Sequence, residues 1–309
     1  MSSYDNHVSA GPIFIGGLSF SGKTTLRLML SSHPVIVLSR RTYMWQRFYG
    51  RYGDLRRPEN LERCLEAMLA RKSIQALSPD PERIRREFWR GPANYGRLFA
   101  LIHRHFAESI GKRRWGAQIG LIEEYADVIF ADYPAARMIH MIRDPRARQG
   151  SVSTRSRQRA GKTGWETARW LHSARLARRN EIRYPGRYLV VGHETLLADP
   201  EGQLFHICDF LGERFEPAML TMESAVRFGE PKPAPDNAVA VTETPPTKQI
   251  PHRDLAFTQT YAGRHIADFG YDLRPVRLSW KDQLLFNVFD RPANLASMFA
   301  WRTLQSIRS

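Results

Sequence analysis

The chain has 309 residues, 42% of them hydrophobic, enough to bury the core of one large α/β domain. No apolar run approaches the roughly 20 residues that cross a bilayer, and Met1-Ser-Ser-Tyr-Asp-Asn-His lacks the basic and apolar regions of a signal peptide. The formal charge of +15 calls for an anionic partner, yet no helix-turn-helix, zinc finger or RNP-type sequence is present to read bases, so a polyanionic small ligand is favoured over any specific nucleic acid.

In chain order, Ile13-Phe-Ile is a short apolar run suited to a buried strand. Gly17 to Thr24 then fits G-x-x-x-x-G-K-T, a loop whose backbone N–H groups turn toward a phosphate at a helix N-terminus. Leu26, Leu28, Met29 and Leu30 continue as a mostly buried helix, and Val35-Ile-Val-Leu38 is a second strand. Residues 40 to 57 mix aromatics with arginines and have no period; a loop lining a substrate cleft and an ordinary packed loop are equally good readings. Helical patterns at Leu61–Arg71, Pro81–Trp89 and Tyr95–Ile110 form a helical insertion over about 59–111.

From Trp115 the strands resume: a short strand, a helix through Phe130, and a strand Arg137-Met-Ile-His-Met-Ile142 that runs at once into Arg143-Asp144-Pro145. A helix from near Arg146 carries Ser151 and Arg155, one turn apart. A long basic helix (Trp165–Ile182), a strand (Tyr188–Val191) and helices near 200–211 and 217–228 follow. Residues 229 to 251 read as a loop long enough to cover a ligand, and Phe257–Phe269 as a helix. Strands alternating with helices predict a three-layer, P-loop-type α/β domain, a parallel sheet flanked by helices, over residues 11–275. The tail, 276–309, is amphipathic; packing on the parent domain or on a second subunit in a homodimer is favoured over a peripheral membrane contact. Cys64 and Cys208 lack C-x-x-C spacing and read as reduced core thiols of a cytoplasmic protein, with or without peripheral membrane attachment.

The second anion site decides which nucleotide the first one holds. Arg143 at a strand end, with Ser151 and Arg155 on the following helix, makes a clamp for a second phosphate. Here the chain resembles the sulfotransferases that use 3′-phosphoadenosine 5′-phosphosulfate (PAPS), in their bacterial and tyrosylprotein branch. The resemblance rests on Ile13-Phe-Ile-Gly-Gly17 with Ser21-Gly22, on Met29-Leu30-Ser-Ser-His33-Pro34, and on Arg137 to Arg146 with Ser151 and Arg155. Tyr188-Leu-Val-Val-Gly-His-Glu-Thr-Leu-Leu-Ala-Asp-Pro200, Phe210-Leu211-Gly212 and Phe269-Gly270-Tyr271 extend it.

The resemblance implies sulfuryl transfer from PAPS to a hydroxyl, leaving 3′-phosphoadenosine 5′-phosphate (PAP), without a metal. Ser21, Gly22, Lys23, Thr24 and Thr25 would hold the 5′-phosphosulfate, and Arg143, Ser151 and Arg155 the 3′-phosphate. Lys23 is the candidate catalytic residue, stabilising charge on the leaving phosphate. The departures are Phe20 where a basic residue is usual, Lys23 between Ser-Gly and Thr-Thr, Arg40 and Arg41 near the position of a glutamate base, Gln118 for lysine, and His193 for tyrosine. The base stays open among Glu123, Glu124, His33, Asp54, His103, His105 and His193. A carbohydrate or glycolipid is the favoured acceptor, from the aromatic–arginine loop and the basic surface. The alternatives are a P-loop kinase or NTPase, with Val128-Ile-Phe-Ala-Asp132 as its magnesium-binding strand end, and a non-catalytic nucleotide-binding protein of the same fold.

Overall fold

The structure, a computed structural model, describes residues 11–153, 160–230 and 250–308. Its centre is a parallel sheet of β1 (Ile13–Gly16), β2 (Ile36–Arg40), β3 (Arg114–Gln118), β4 (Arg137–Ile142) and β5 (Tyr188–Gly192), in the order β2-β3-β1-β4-β5. Ile13 pairs with Gly116 on one side and Arg137 on the other, so β1 is the middle strand. The chain leaves β1 toward β2 on one side and leaves β4 toward β5 on the other. The crevice between the carboxyl ends of β1 and β4 is therefore the topological switch point, where open α/β sheets place their ligands.

The helices follow in chain order: α1 (Lys23–Ser31), α2 (Met44–Phe48), α3 (Pro58–Leu69), α4 (Lys72–Gln75), α5 (Pro81–Phe88), α6 (Tyr95–Ser109) and, after a 3-10 turn at Ile122–Tyr125, α7 (Ala126–Asp132). Then come α8 (Pro145–Ser153), α9 (Lys162–Arg183), α10 (His193–Ala198), α11 (Pro200–Leu211), α12 (Ala218–Thr221), α13 (His252–Asp268), α14 (Trp280–Leu285) and, beyond a π turn at Phe286–Asp290, α15 (Arg291–Arg308).

Successive strand residues point to opposite faces, and the core divides accordingly. Phe14, Val37, Ala117 and Met138 face the α2–α7 layer, whereas Ile13, Ile15, Ile36, Leu38, Ile139 and Met141 face α1, α11 and α12. Phe14 packs on Phe99 of α6 with ring centroids 6.0 Å apart, so the helices between β2 and β3 share the sheet's own core. A third cluster joins Leu18 and Ile142, beside the crevice, to Trp170 of α9, Phe257 of α13, and Phe286, Met298 and Trp301 of the tail.

Several local expectations change. Residues 44–48 are helical, because Met44, Trp45 and Phe48 are core residues; the aromatics between 40 and 57 are partly structural. The helix expected over 217–228 is only the turn Ala218–Thr221, ended by Met222 in the left-handed region. Val128–Asp132 is helix α7, not a strand, and Asp132 accepts a hydrogen bond from Asn94 (3.1 Å), away from the crevice. Most of the 229–251 loop, and Arg155, lie outside the described residues. Both cysteines are free and buried, which pushes the Cys64 thiol up to about 12 and the Cys208 thiol up to about 11.

His103 shows what burial demands of a titratable group. It stacks on Phe99 at 4.1 Å, its Nδ1 pairs with the Phe99 carbonyl (2.9 Å) and its Nε2 with Ser39 Oγ (2.9 Å). Burial lowers its pKa to about 4. The folded state therefore binds fewer protons than the unfolded chain between pH 6.5 and 4, and stability falls as pH drops through that window. The expected loss is about 3 kcal/mol from this group. Urea midpoints measured at pH 7 and pH 4.5 should show a smaller acid-induced drop in H103Q; an unchanged drop would refute the assignment.

Candidate functional site

The carboxyl edge of the sheet carries the loop from Gly17 to Gly22. Gly22 caps α1 with φ +86°, a backbone that side chains rarely adopt, and a Cβ there would lie 2.2 Å from His193 Nδ1. Phe20 adopts φ +67° despite its bulk. Such a residue is a real outlier, and the surroundings must hold it. Part of that hold is Arg143, whose Nη1 donates to the Phe20 carbonyl at 3.0 Å and to Ser151 Oγ at 3.4 Å. The two segments that the sequence reading takes as anion sites are thus in direct contact. Arg143 is buried, which lowers its pKa against the opposing pull of Glu194 and Asp144, and its own carbonyl accepts the Trp170 indole N–H (2.9 Å).

Beneath the loop sits Glu123, fully buried. Its Oε2 accepts the Gly17 N–H at 2.9 Å and its Oε1 accepts Ser173 Oγ at 3.3 Å. Ser173 in turn contacts His140 Nε2 (2.9 Å), and His140 Nδ1 contacts Tyr188 Oη (2.7 Å). Burial keeps His140 neutral by lowering its pKa. The donors then run one way, Tyr188 to His140 to Ser173 to Glu123, an assignment made from the hydrogen-bond network. Lys23 points back into the same region. Its Nζ donates to the Gly17 carbonyl at 2.7 Å and to the Leu18 carbonyl. Burial lowers its pKa to about 7, opposed by Glu123 and aided by Arg41, Arg148 and Arg169.

Among the described residues at this edge, Ser21 Oγ and both ring nitrogens of His193 are buried with no hydrogen-bond partner. His193 has its pKa lowered to about 4, by burial first and then by Arg143. Orphaned buried groups cost about 1–3 kcal/mol each unless water, an ion or a ligand completes their bonding. Thr24 and Thr25 begin α1 at partial exposure, and Ser151 lies on α8 beside Arg143. The structure therefore gathers Ser21, Gly22, Lys23, Thr24, Thr25, Arg143 and Ser151 around one crevice. Among the described residues no cluster suited to a metal ion is present.

The other titratable candidates have occupations of their own. His33 Nε2 contacts the Arg214 carbonyl at 3.0 Å, Asp54 pairs with Arg56 at the surface, and His105 faces Glu87 at 3.2 Å. Glu124 differs. Half-buried, it accepts from His172 Nε2 at 2.9 Å and from Gln305 Nε2 at 2.8 Å, and Trp301 lies edge-on to the His172 ring. Sequence reading did not find His172 or Gln305, because their meeting with Glu124 depends on how α9 and α15 pack.

The sequence profile of the sulfotransferase family matches residues 12–217, which span the loop, the Arg143 segment and β5. The chain belongs to the sulfotransferase family. The fold agrees: the sulfotransferase domain of the Synechococcus PCC 7002 olefin synthase superposes with a TM-score of 0.57 at 23% identity, covering 85% of this chain and 95% of that one. The sulfotransferase from Alicyclobacillus acidocaldarius covers 85% of this chain and 97% of its own at 17% identity, with a TM-score of 0.43. No curated protein sequence matches the chain. Within this sulfotransferase, Glu123 is the group on which the loop rests. Replacing it by alanine should lower unfolding free energy by about 3 kcal/mol, since the Gly17 N–H would stay buried and unpaired and Lys23 would lose its counter-charge. Denaturant titration of E123A and E123Q checks this; equal stability of E123A and the parent would exclude the role.

Proposed function

We propose that this sulfotransferase draws its sulfuryl group from PAPS and delivers it to a hydroxyl acceptor. The observation that carries the reading is the contact of Arg143 with both the Phe20 carbonyl and Ser151, beside a helix N-terminus where Ser21 Oγ is buried without a partner. A loop and a clamp this close suit a ligand with two phosphates a ribose apart. Ser21, Gly22, Lys23, Thr24 and Thr25 take the 5′ end through amides, hydroxyls and the amine. Arg143 and Ser151 take the 3′-phosphate, with Arg155 proposed beside them from the sequence alone.

When bound, the cofactor supplies the sulfuryl group and departs as PAP. Lys23 is proposed to set positive charge at the phosphate end of the crevice. Its lowered pKa makes that charge dependent on an anion nearby, which would restore the protonated form. Glu124, half-buried and oriented through Oε1 by His172 and Gln305, is proposed as the base that accepts the acceptor's proton. A sugar hydroxyl, free or on a glycolipid, suits the cavity of about 510 Å³ whose walls include Tyr49, Tyr52, Tyr95, Asp54 and Asn94. Aromatic faces cover the C–H side of a sugar ring while the polar groups meet its hydroxyls.

Isothermal titration with PAP in the absence of magnesium should give a saturable heat that R143A weakens at least about tenfold, one charge-assisted contact's worth. Unchanged PAP affinity in R143A would defeat the cofactor assignment. With radiolabelled PAPS and a glycan and lipid extract, E124Q should keep PAP affinity and lower turnover about a hundredfold. Tight PAP binding with no labelled product from any acceptor would identify a binding protein rather than an enzyme.

A further inference from the structure

The tail is two-faced. On its inner side Phe286, Asn294, Met298 and Trp301 are buried, and Asn294 Oδ1 accepts the Gly164 N–H at 2.7 Å. Gly164 is required there, because a Cβ would lie 2.0 Å from the Asn294 carbonyl oxygen. The outer side carries Trp280, Leu284, Val288, Phe289, Phe299 and Ile307, all exposed, with Trp280, Phe299 and Ile307 each more than 70% accessible. Single exposed apolar side chains are ordinary, but a run of large ones along one helical unit is an interaction face.

Charge selects what covers it. The tail's two acids are both engaged by Arg253, which lies 2.9 Å from Asp290 and 3.7 Å from Asp282. Of the tail's cations, Lys281, Arg291 and Arg302 stand exposed on the helices that carry the apolar side chains, and none of the three makes an ion pair among the described residues. Lys281 lies over the Trp280 ring at 5.5 Å, and Arg291 Nε donates to Tyr261 Oη at 3.0 Å. A second copy of this face would bring unpaired cations against cations, with only the two carboxylates that Arg253 already engages to receive them. Anionic lipid headgroups complement the same arrangement, with aromatic and aliphatic side chains entering the acyl boundary below them.

We propose that the outer face of the α14–α15 tail seats this protein on an anionic lipid surface while its inner face stays packed on α9. The seat is peripheral, since no described helix is long and apolar enough to cross a membrane. This inference stands apart from the PAPS assignment. The test is co-sedimentation of the full chain with vesicles of phosphatidylcholine alone and of phosphatidylcholine with phosphatidylglycerol. Binding is expected only to the anionic vesicles, weakening with salt, and falling at least about tenfold in L284S/F289S/F299S and in K281E/R302E. Circular dichroism and thermal unfolding of the same variants establish that the fold is intact. No binding to anionic vesicles, or binding that the apolar substitutions leave unchanged, would overturn the proposal. So would a dimer in sedimentation velocity that L284S/F289S/F299S converts to monomer, since a second copy would then own the face.

Discussion

The crevice depends on a carboxylate that sits beneath it. Glu123 takes the Gly17 amide, and so the first turn of the loop leans on a side chain 106 residues further along the chain. A buried carboxylate is costly unless it is both paired and hydrogen-bonded. Here the Gly17 amide and Ser173 hydroxyl bond it, Asn180 secures its backbone carbonyl at 3.0 Å, and Lys23 supplies nearby positive charge. The same arrangement fixes Lys23 against the Gly17 and Leu18 carbonyls. Loop, lysine and sheet edge therefore form one unit.

A second tie runs across the switch point. Arg143 grips the strained Phe20 turn, Asp144 N–H donates to Glu194 Oε1 at 3.2 Å, and Tyr271 Oη donates to Glu194 Oε2 at 2.8 Å. Segments from four parts of the chain thus meet at the ends of β1, β4 and β5. Phe20 stands where the resemblance implies a basic residue, and it is its backbone carbonyl that meets Arg143.

Much of this was legible in the residues. The Gly17–Thr24 pattern, the apolar strand ending at Arg143, and Ser151 eight residues on are local signals, and the structure brings them to one crevice. The parallel sheet followed from strands alternating with helices. What stayed illegible was non-local. Nothing near Glu123 says that it will meet Gly17, and the pairing of Glu124 with His172 and Gln305 needs three separate elements to pack. Residues 44–48 carry too few positions to show a helical period, and tertiary burial of Trp45 and Phe48 decides them. The tail's amphipathicity was readable, but its hydrophobic residues divide between an inner and an outer face, which one-dimensional spacing does not separate.

The loop held by Glu123 has a kinetic meaning. Its shape is established when the core forms, so the Gly17 turn is in place before any ligand arrives. For an anionic ligand such as the one proposed, encounter would then be governed by diffusion in the field of a strongly basic protein, fast and sensitive to ionic strength. Selectivity among anions of similar charge would accordingly be expressed in how slowly each one leaves.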